Sequence, residues 1–224
     1  MTLADRPLVA RLALKNIQEL SDSYLQMQCR YQSAIREVRT KLENMDEEFQ
    51  LRHSRNPIHH MESRLKTVQS ITEKLQRRNL PVSFSSAAEN LYDIAGVRVV
   101  CSYVSDIYTV ADLLKSQDDI VLVKERDYIT TPKKNGYRSL HLVVQVPVYL
   151  AEGKVWVPVE IQIRSIAMDL WASLEHQLRY KEPQRIPRDL SAELQKTAQD
   201  MAEIDLRMQR IYNMVEKLEN GDKG

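Results

Sequence analysis

Glycine is scarce in this chain, which has only five glycines among 224 residues. Neither GxGxxG nor GxxxxGKS/T occurs in it, so the two glycine-rich patterns that bind phosphates through backbone N–H groups are excluded. If the chain binds nucleotides, we expect it to hold their phosphates with side chains and metal rather than with a glycine-rich loop.

Cysteine and long apolar runs are also scarce. The two cysteines, Cys29 and Cys101, lie far apart and form no CxxC pair, so we expect reduced thiols in the cytoplasm. No apolar run approaches the ~20 residues that a membrane span needs, and the N-terminal residues do not read as a signal peptide. A formal net charge of +1 excludes a polycationic nucleic-acid coat but is compatible with a local basic pocket.

Long helices are predicted near both ends of the chain. Residues 14–51 contain neither proline nor glycine, and their apolar residues recur at steps of three and four, so a helix should begin after Pro7 and end before Asn56-Pro57. In residues 189–218, two sets of side chains recur every seven positions. These sets are Leu194, Met201, Met208 and Val215, and Thr197, Ile204, Ile211 and Leu218. Both patterns fit either packing within the chain or association between subunits.

Between these helices the periodicity predicts an α/β centre. We expect a helix over residues 62–78, strands over 95–104, 120–129, 140–150 and 154–164, and a short helix over 107–116. A turn at Glu152-Gly153 should join the last two strands. Residues 165–181 return to helical spacing, since Ile166, Leu170, Leu174 and Leu178 are four apart. Helices before, within and after a run of strands predict an α/β (α+β) fold, in which helices flank a mixed sheet.

A basic row and a polar strand face are candidate binding surfaces. Lys66, Ser70 and Lys74 should align on one helix face, with Arg77 beside them, as a surface for phosphates or as an ordinary solvated face. In the last strand, Val159, Ile161 and Ile163 face one way, whereas Glu160, Gln162 and Arg164 face the other.

Asp93 and Glu160 are the candidate carboxylates for Mg²⁺, because this ion takes one or two carboxylates and completes its shell with phosphate oxygens. One of the two could also receive a proton. A local backbone hydrogen bond is the alternative role for Asp93.

The stretch TPKKNGYRSLH, residues 131–141, concentrates cations around one aromatic ring. Tyr137 could stack on a base, Lys133, Lys134 and Arg138 could neutralise phosphates, and Asn135-Gly136 could form the turn. A half-buried packing role for Tyr137 is the alternative. His53, His59 and His60 have no cysteine nearby in sequence, which argues against a zinc site, and His176 should pair with an acid.

Four segments together resemble one known family. "RLKTVQSITEK", "YDIAGVRVVC", "RDYITTPKKNGYRSLHLVV" and "VEIQIRSIAMDLWASLEH" resemble the RelA/SpoT-type (p)ppGpp synthetase domain over residues 56–181. The length is similar to that of the single-domain small alarmone synthetases, and the sequences of the four segments resemble the RelP-type subgroup more than the RelQ-type.

The resemblance implies an enzyme that uses Mg²⁺ to transfer the β,γ-pyrophosphoryl group of ATP to the ribose 3′-hydroxyl of GDP or GTP. It implies a nucleotidyltransferase-like fold with about five strands and a cytoplasmic homotetramer. Residues 1–55 would form an N-terminal helical segment, 56–185 the synthetase core and 186–224 a C-terminal helix with oligomer contacts. We expect synthesis without hydrolysis of the alarmone. RNA binding is not indicated.

The resemblance also implies roles for individual residues. ATP would contact Arg64 and Arg98 through its adenine and Lys66, Ser70 and Lys74 through its phosphates. Asp93 and Glu160 would bind Mg²⁺, and Glu160 would act as the base. The acceptor would contact Arg126, Lys133, Asn135, Tyr137, His141 and Gln162, with Arg164 and Glu175 in support. Asp93 and Arg98 have opposite parity along the predicted strand, so one of them must leave regular strand geometry.

Two other interpretations of the residues stay open. One is a nucleotidyltransferase that moves a nucleotidyl group instead of a pyrophosphoryl group. The other is a non-enzymatic RNA-binding module that uses residues 131–141. The preference between GDP and GTP also stays open.

Overall fold

The computed structural model describes residues 8–53, 55–181 and 187–221, and within them the chain forms five strands and six helices. In chain order these are α1 (Leu8–His53), β1 (Ile58–Leu65), α2 (Val68–Arg77), α3 (Phe84–Asn90), β2 (Ala95–Cys101), α4 (Val104–Lys115), β3 (Val121–Asp127), β4 (Leu140–Leu150), β5 (Gly153–Ser165), α5 (Ile166–Lys181) and α6 (Arg188–Gly221).

The strands form one mixed sheet in the order β1-β2-β5-β4-β3. The pair β2 and β5 is parallel, and the other neighbouring pairs are antiparallel. The predicted mixed sheet with flanking helices is therefore confirmed.

The core lies on one face of this sheet. Val159, Ile161 and Ile163 of β5 are fully buried there, as their alternation predicts. Helix α1 packs on the core, and its residues from Met27 to Leu42 bury the apolar side of the helix. Over this part of α1, the structure therefore confirms packing within the chain. Each large apolar side chain buried there stabilises the fold by about 1.5–3 kcal/mol.

The predicted helix over residues 62–78 is wrong in its first part. Residues up to Leu65 form edge strand β1, and α2 begins only at Val68. Thr67 caps α2, since its side chain accepts a hydrogen bond from the backbone N–H of Ser70. The strand IHHMESRL has few β-branched residues, so pairing with β2, rather than local preference, makes it extended.

The prediction also differs from the structure at the end of β2 and in a missed helix. The strand expected to reach residue 104 ends at Cys101, because the carboxylate of Asp106 accepts a hydrogen bond from the backbone N–H of Tyr103 and α4 begins there. The short helix α3 was not predicted, although Ser83 caps it with a hydrogen bond to the N–H of Ser86.

Helices α5 and α6 bury one side and expose an apolar stripe on the other. In α5, Met168 and Trp171 are buried, whereas the i, i+4 row of leucines that begins at Ile166 is exposed. In α6, Ala198 is buried, while Ile204, Met208, Ile211 and Val215 are each 47% exposed. The heptad pattern of α6 thus serves packing within the chain only in its first half. No helix among the described residues has the length and apolarity needed to cross a membrane.

The loop between β3 and β4 lies against the first half of α6. Gly136 has a φ of +88°, and a Cβ on it would lie 2.6 Å from the Cβ of Ala198. This contact leaves no room for a side chain, so Gly136 serves both the turn and the close approach of α6.

We predict that Gly136→Ala destabilises the protein more than Gly153→Ala. Gly153 also has a positive φ, +118°, but a Cβ there would meet no atom within 4 Å, so its substitution adds backbone strain of about 1–2 kcal/mol alone. Urea unfolding of both variants measures the difference. Ala198→Gly should restore part of the loss in Gly136→Ala, and equal losses in the two single variants would contradict the steric account.

Candidate functional site

Strand register brings the polar residues of four strands to the face opposite the core. Gly96 lies beside Glu160, Arg98 beside Gln162, and Gln162 beside His141. Residues that pair across strands point to the same side, so these side chains share one face. The predicted polar face of β5 is confirmed.

Asp93 lies at the edge of this face with two lysines. Its Oδ2 accepts hydrogen bonds from Lys74 Nζ at 2.6 Å and from Lys66 Nζ at 2.9 Å. The sequence predicted Lys66 and Lys74 in one row on a helix, but Lys66 precedes α2 and is not part of that helix. The two ammonium groups nevertheless meet at the same carboxylate. Asp93 precedes β2, which explains how it reaches the same face as Arg98 despite their parity.

The charge state of Asp93 follows from these contacts. Burial raises the pKa of its carboxyl, but the hydrogen bonds from Lys74 and Lys66 outweigh burial and leave the pKa below its ordinary value. The other oxygen, Oδ1, is buried, and no residue in the part of the chain that the structure describes forms a hydrogen bond with it. A buried carboxylate oxygen without a partner is a free ligand position for a cation.

Arg64 and Arg98 lie beside Asp93. Arg64 pairs with Gly96, and its side chain lies in the space over that glycine. Arg98 donates to Glu62 Oε2 at 2.9 Å. The two arginines are diagonal neighbours on one face of an antiparallel pair, where side-chain positions are about 7–8 Å apart.

Glu160 belongs to a ring of polar contacts, all of them hydrogen bonds except the one between His141 and Glu160. Arg164 donates from Nη2 to Gln162 Oε1 at 2.8 Å, and Gln162 donates from Nε2 to Glu160 Oε2 at 3.0 Å. On the other side, Arg164 Nε donates to the Tyr137 hydroxyl at 3.0 Å, and that hydroxyl lies 3.1 Å from His141 Nε2. His141 Nδ1 completes the ring at 3.7 Å from Glu160 Oε1.

The direction of each bond in this ring follows from donor chemistry. An ionised carboxylate only accepts, so the proton of a neutral His141 lies on Nδ1, which faces Glu160 Oε1. His141 Nε2 then accepts from the Tyr137 hydroxyl, which itself accepts from Arg164 Nε. Both oxygens of Glu160 therefore face N–H groups.

The pKa values of the two titratable groups in the ring agree with this assignment. Burial raises the pKa of Glu160, but His141 and Gln162 outweigh burial and lower the pKa below its ordinary value. Burial lowers the pKa of His141 and outweighs the opposing effect of Glu160. At neutral pH the pair is thus a carboxylate beside a neutral imidazole.

Comparison with known proteins identifies the family. The protein-family model described as "Region found in RelA / SpoT proteins" matches residues 63–185 of this sequence. The chain belongs to the RelA/SpoT family.

Relatives of this RelA/SpoT protein include GTP pyrophosphokinase YwaC of Bacillus subtilis, which is 44% identical over 83% of this chain and 89% of its own. The crystal structure of small alarmone synthetase 1 from Bacillus subtilis bound to its product pppGpp is similar, with a TM-score of 0.79 and 36% identity over 86% of this chain and 97% of that one. Small alarmone synthetase 2 from Bacillus subtilis has a TM-score of 0.78 and 41% identity over 85% of this chain and 98% of that one. The RelP-type assignment stays a prediction.

Tyr137 is buried, which agrees with the packing role that was the alternative to stacking on a base. It is 7% exposed and packs with Met168, Trp171 and Ala198. Lys133 Nζ lies 4.6 Å from the centre of its ring, and Arg164 Cζ lies 5.0 Å from it. The cause is the contact of α6 with the loop, which sequence spacing does not reveal.

The other candidate residues near Tyr137 lie on β3 and in the loop between β3 and β4. Asn135 donates to Glu175 Oε1 at 3.3 Å, and the exposed Arg126 donates to the Tyr128 hydroxyl at 3.3 Å. Lys134 is exposed. Arg138 donates to the Ile129 carbonyl at 2.7 Å and lines a different cavity, with Ser165 and Asp205, so the structure does not bring it to the polar face.

Other residues considered from the sequence are two members of the basic row and three histidines. Ser70 remains at the start of α2, where its hydroxyl accepts a hydrogen bond from Thr67 Oγ1, and Arg77 donates to the backbone carbonyl of Glu73. His59 and His60 contact each other, and the side chain of His53 lies outside the described part of the chain. Among the described residues, no group of three or more His, Cys, Asp or Glu could hold a metal ion.

Asp169 is a site residue that sequence reasoning missed. Its Oδ1 accepts a hydrogen bond from Arg164 Nη1 at 3.1 Å and lies 3.7 Å from Arg98 Nε. The available signal was an acid in the first turn of a helix that directly follows the strand carrying Arg164.

We predict that Tyr137→Phe lowers the free energy of unfolding by about 1–3 kcal/mol, because buried groups of Arg164 and His141 lose their partner. Tyr128→Phe is the matched control, since the Tyr128 hydroxyl contacts the exposed Arg126, and it should change stability by less than about 0.5 kcal/mol. Chemical denaturation measures both. Similar losses in the two variants would contradict the ring.

We also predict that His141 is neutral at pH 7 with its proton on Nδ1, and that it protonates only below the ordinary histidine pKa of about 6.5. The ¹⁵N chemical shifts of the imidazole nitrogens report both properties, and His141→Gln assigns the signals. In Tyr137→Phe the preference for the Nδ1 tautomer should weaken. A proton on Nε2 in the unaltered protein would refute the assigned direction of the ring.

Proposed function

We propose that this protein is a GTP pyrophosphokinase, which transfers the β,γ-pyrophosphoryl group of ATP to the 3′-hydroxyl of GDP or GTP. The products are AMP and the alarmone ppGpp or pppGpp. The observation that carries this conclusion is the ring that keeps Glu160 an oriented carboxylate on the same sheet face as Asp93, Lys66 and Lys74. Family membership and the 44% identity to a GTP pyrophosphokinase support it.

ATP would bind at the β1–β2 side of the face. Adenine fits between Arg64 and Arg98, whose diagonal placement leaves room for a flat ring between two guanidiniums. Lys66 and Lys74 provide the positive charge for the phosphates, and Ser70 lies in the first turns of α2, where backbone N–H groups also favour anions. The two lysines face the single carboxylate of Asp93, so one positive charge is left over for phosphates.

The site residues fit a magnesium ion. Asp93 offers its unpartnered Oδ1, and Glu160 offers a second carboxylate. Two carboxylates with nucleotide phosphates make an oxygen shell of the kind that Mg²⁺ prefers. When bound, the ion neutralises charge on the phosphate oxygens during transfer.

GDP or GTP would bind at the β4 side through Arg126, Lys133, Asn135, Tyr137, His141 and Gln162. Lys133 occupies a position over the Tyr137 ring in the present structure. We infer that Lys133 leaves the ring when the acceptor arrives, so that its ammonium meets the phosphates and guanine replaces it on Tyr137. Glu175 supports the loop through Asn135, and Arg164 supports it through Tyr137.

Glu160 would take the proton of the 3′-hydroxyl as the oxygen attacks the β-phosphorus of ATP. The bond between that phosphorus and the bridging oxygen on its α side breaks, and AMP leaves with the bonding electrons. Because the low pKa of Glu160 keeps it deprotonated at neutral pH, the base is ready without prior proton loss. Positioning and charge neutralisation should supply the rest of the rate.

We further propose a homotetramer in the cytoplasm, with residues 56–185 as the synthetase core and the flanking helices, 1–55 and 186–224, outside it. The exposed apolar stripes of α5 and of the second half of α6 support subunit contacts there. The two free cysteines agree with a reducing compartment.

We predict that Glu160→Gln lowers turnover by about 10²–10⁴-fold, because the amide keeps the shape of the side chain but cannot accept the proton. The assay incubates protein with ATP, GDP and Mg²⁺ and separates the nucleotides by anion exchange. Glu152→Gln, in the exposed turn between β4 and β5, is the matched control and should retain activity.

The products discriminate between the candidate functions. AMP released in step with a guanosine product of higher charge supports pyrophosphoryl transfer, whereas release of pyrophosphate with a nucleotidylated acceptor would replace it with nucleotidyl transfer. Equal turnover by Glu160→Gln would exclude Glu160 as the base. A folded protein that binds nucleotides but forms no product would overturn the proposed enzyme.

A further inference from the structure

We propose that Asp169 is a positioning residue that joins the ATP side of the site to the base, by holding the guanidiniums of Arg98 and Arg164 at once. This inference rests on the proposed function for the roles of those two arginines. It concerns a residue in the first turn of α5, outside the strands that carry the other polar groups.

The first observation is that one carboxylate oxygen faces both arginines. Asp169 Oδ1 is 3.1 Å from Arg164 Nη1 and 3.7 Å from Arg98 Nε. Its Oδ2 lies 4.0 Å from His60 Nε2. The carboxylate is 14% exposed, so solvent screens these charge interactions only weakly.

The second observation concerns Arg164. Its side chain is 7% exposed, and its other two hydrogen bonds go to neutral groups, the amide of Gln162 and the hydroxyl of Tyr137. Asp169 is therefore the carboxylate in direct contact with this buried positive charge. Without Asp169, the guanidinium of Arg164 loses one of its three hydrogen-bond acceptors. The contacts from Arg164 to Glu160, through Gln162 and through Tyr137, are then held in place less firmly.

The third observation concerns Arg98. Its Nε is buried and has no hydrogen-bond partner among the described residues, and Asp169 Oδ1 lies just beyond hydrogen-bond distance from it. The hydrogen-bonded partner of Arg98 is Glu62, whose side chain is 60% exposed and whose contact is therefore screened by water. Asp169 is the more buried of the two carboxylates that face Arg98, so water screens its charge less than that of Glu62.

Two substitutions separate the two halves of this role. In Asp169→Asn, the amide oxygen can still accept from Arg164 Nη1, but the charge that attracts Arg98 is lost. We expect KM for ATP to rise about tenfold while kcat changes less than about threefold. In Asp169→Ala, both contacts are lost, so KM for ATP should rise similarly and kcat should fall about 10- to 100-fold.

The control is Asp112→Asn, which neutralises an exposed aspartate that pairs with Lys115 on α4. It should leave both kinetic constants unchanged. Equilibrium binding of the non-transferable ATP analogue AMPCPP is measured in parallel, and its Kd should rise about tenfold in both Asp169 variants. Thermal unfolding establishes that each variant is folded at the assay temperature.

The outcomes are distinct. A KM effect in Asp169→Asn together with an added kcat effect in Asp169→Ala supports the proposal. Folded variants with unchanged AMPCPP affinity and unchanged kcat would overturn it, as would an identical loss of kcat in both, which a merely structural role predicts. If the unaltered protein forms no alarmone, the proposed function fails, and the AMPCPP affinities still decide whether Asp169 orients Arg98.

Discussion

The buried guanidinium of Arg164 is the constraint on which the polar face depends. A buried positive charge is stable only when its N–H groups have partners, and here they are satisfied by Asp169, Gln162 and Tyr137. Gln162 continues by a hydrogen bond to Glu160 Oε2, and Tyr137 continues through His141, whose Nδ1 lies 3.7 Å from Glu160 Oε1. The requirement to satisfy one arginine therefore also orients the proposed base.

The two carboxylates of the site are kept ionised by different means. Asp93 is neutralised by two ammonium groups, whereas Glu160 faces the neutral amide of Gln162 and the neutral imidazole of His141. In both, burial raises the pKa and the local donors outweigh it. This difference fits different roles for the two carboxylates. In the proposed function, Lys66 and Lys74 would turn from Asp93 to bound phosphates, whereas Gln162 and His141 would keep their contacts with Glu160.

Helix α6 connects the loop with the surface of the molecule. Its first half buries Ala198 against Gly136 and Tyr137, and its second half exposes the apolar stripe proposed for subunit contacts. The burial of Tyr137 therefore depends on the packing of both α5 and α6 against the loop between β3 and β4.

Much of the fold and part of the site could be predicted from sequence. Period-two alternation placed Glu160, Gln162 and Arg164 on one face of β5, and helical spacing identified α1, α5 and α6, because burial on one side imposes those periods locally. Strand β1 escaped prediction because its polar residues become extended only through pairing with β2. The ring around Glu160, the bridge by Asp169 and the burial of Tyr137 each need contacts between different elements, such as the hydrogen bond from Arg164 to Tyr137, 27 positions away. The sequence by itself thus determined which faces are polar and which residues are chemically competent. Only the tertiary structure decided which of them meet, since hydrogen bonds across strands and helices depend on register and packing that no local period encodes.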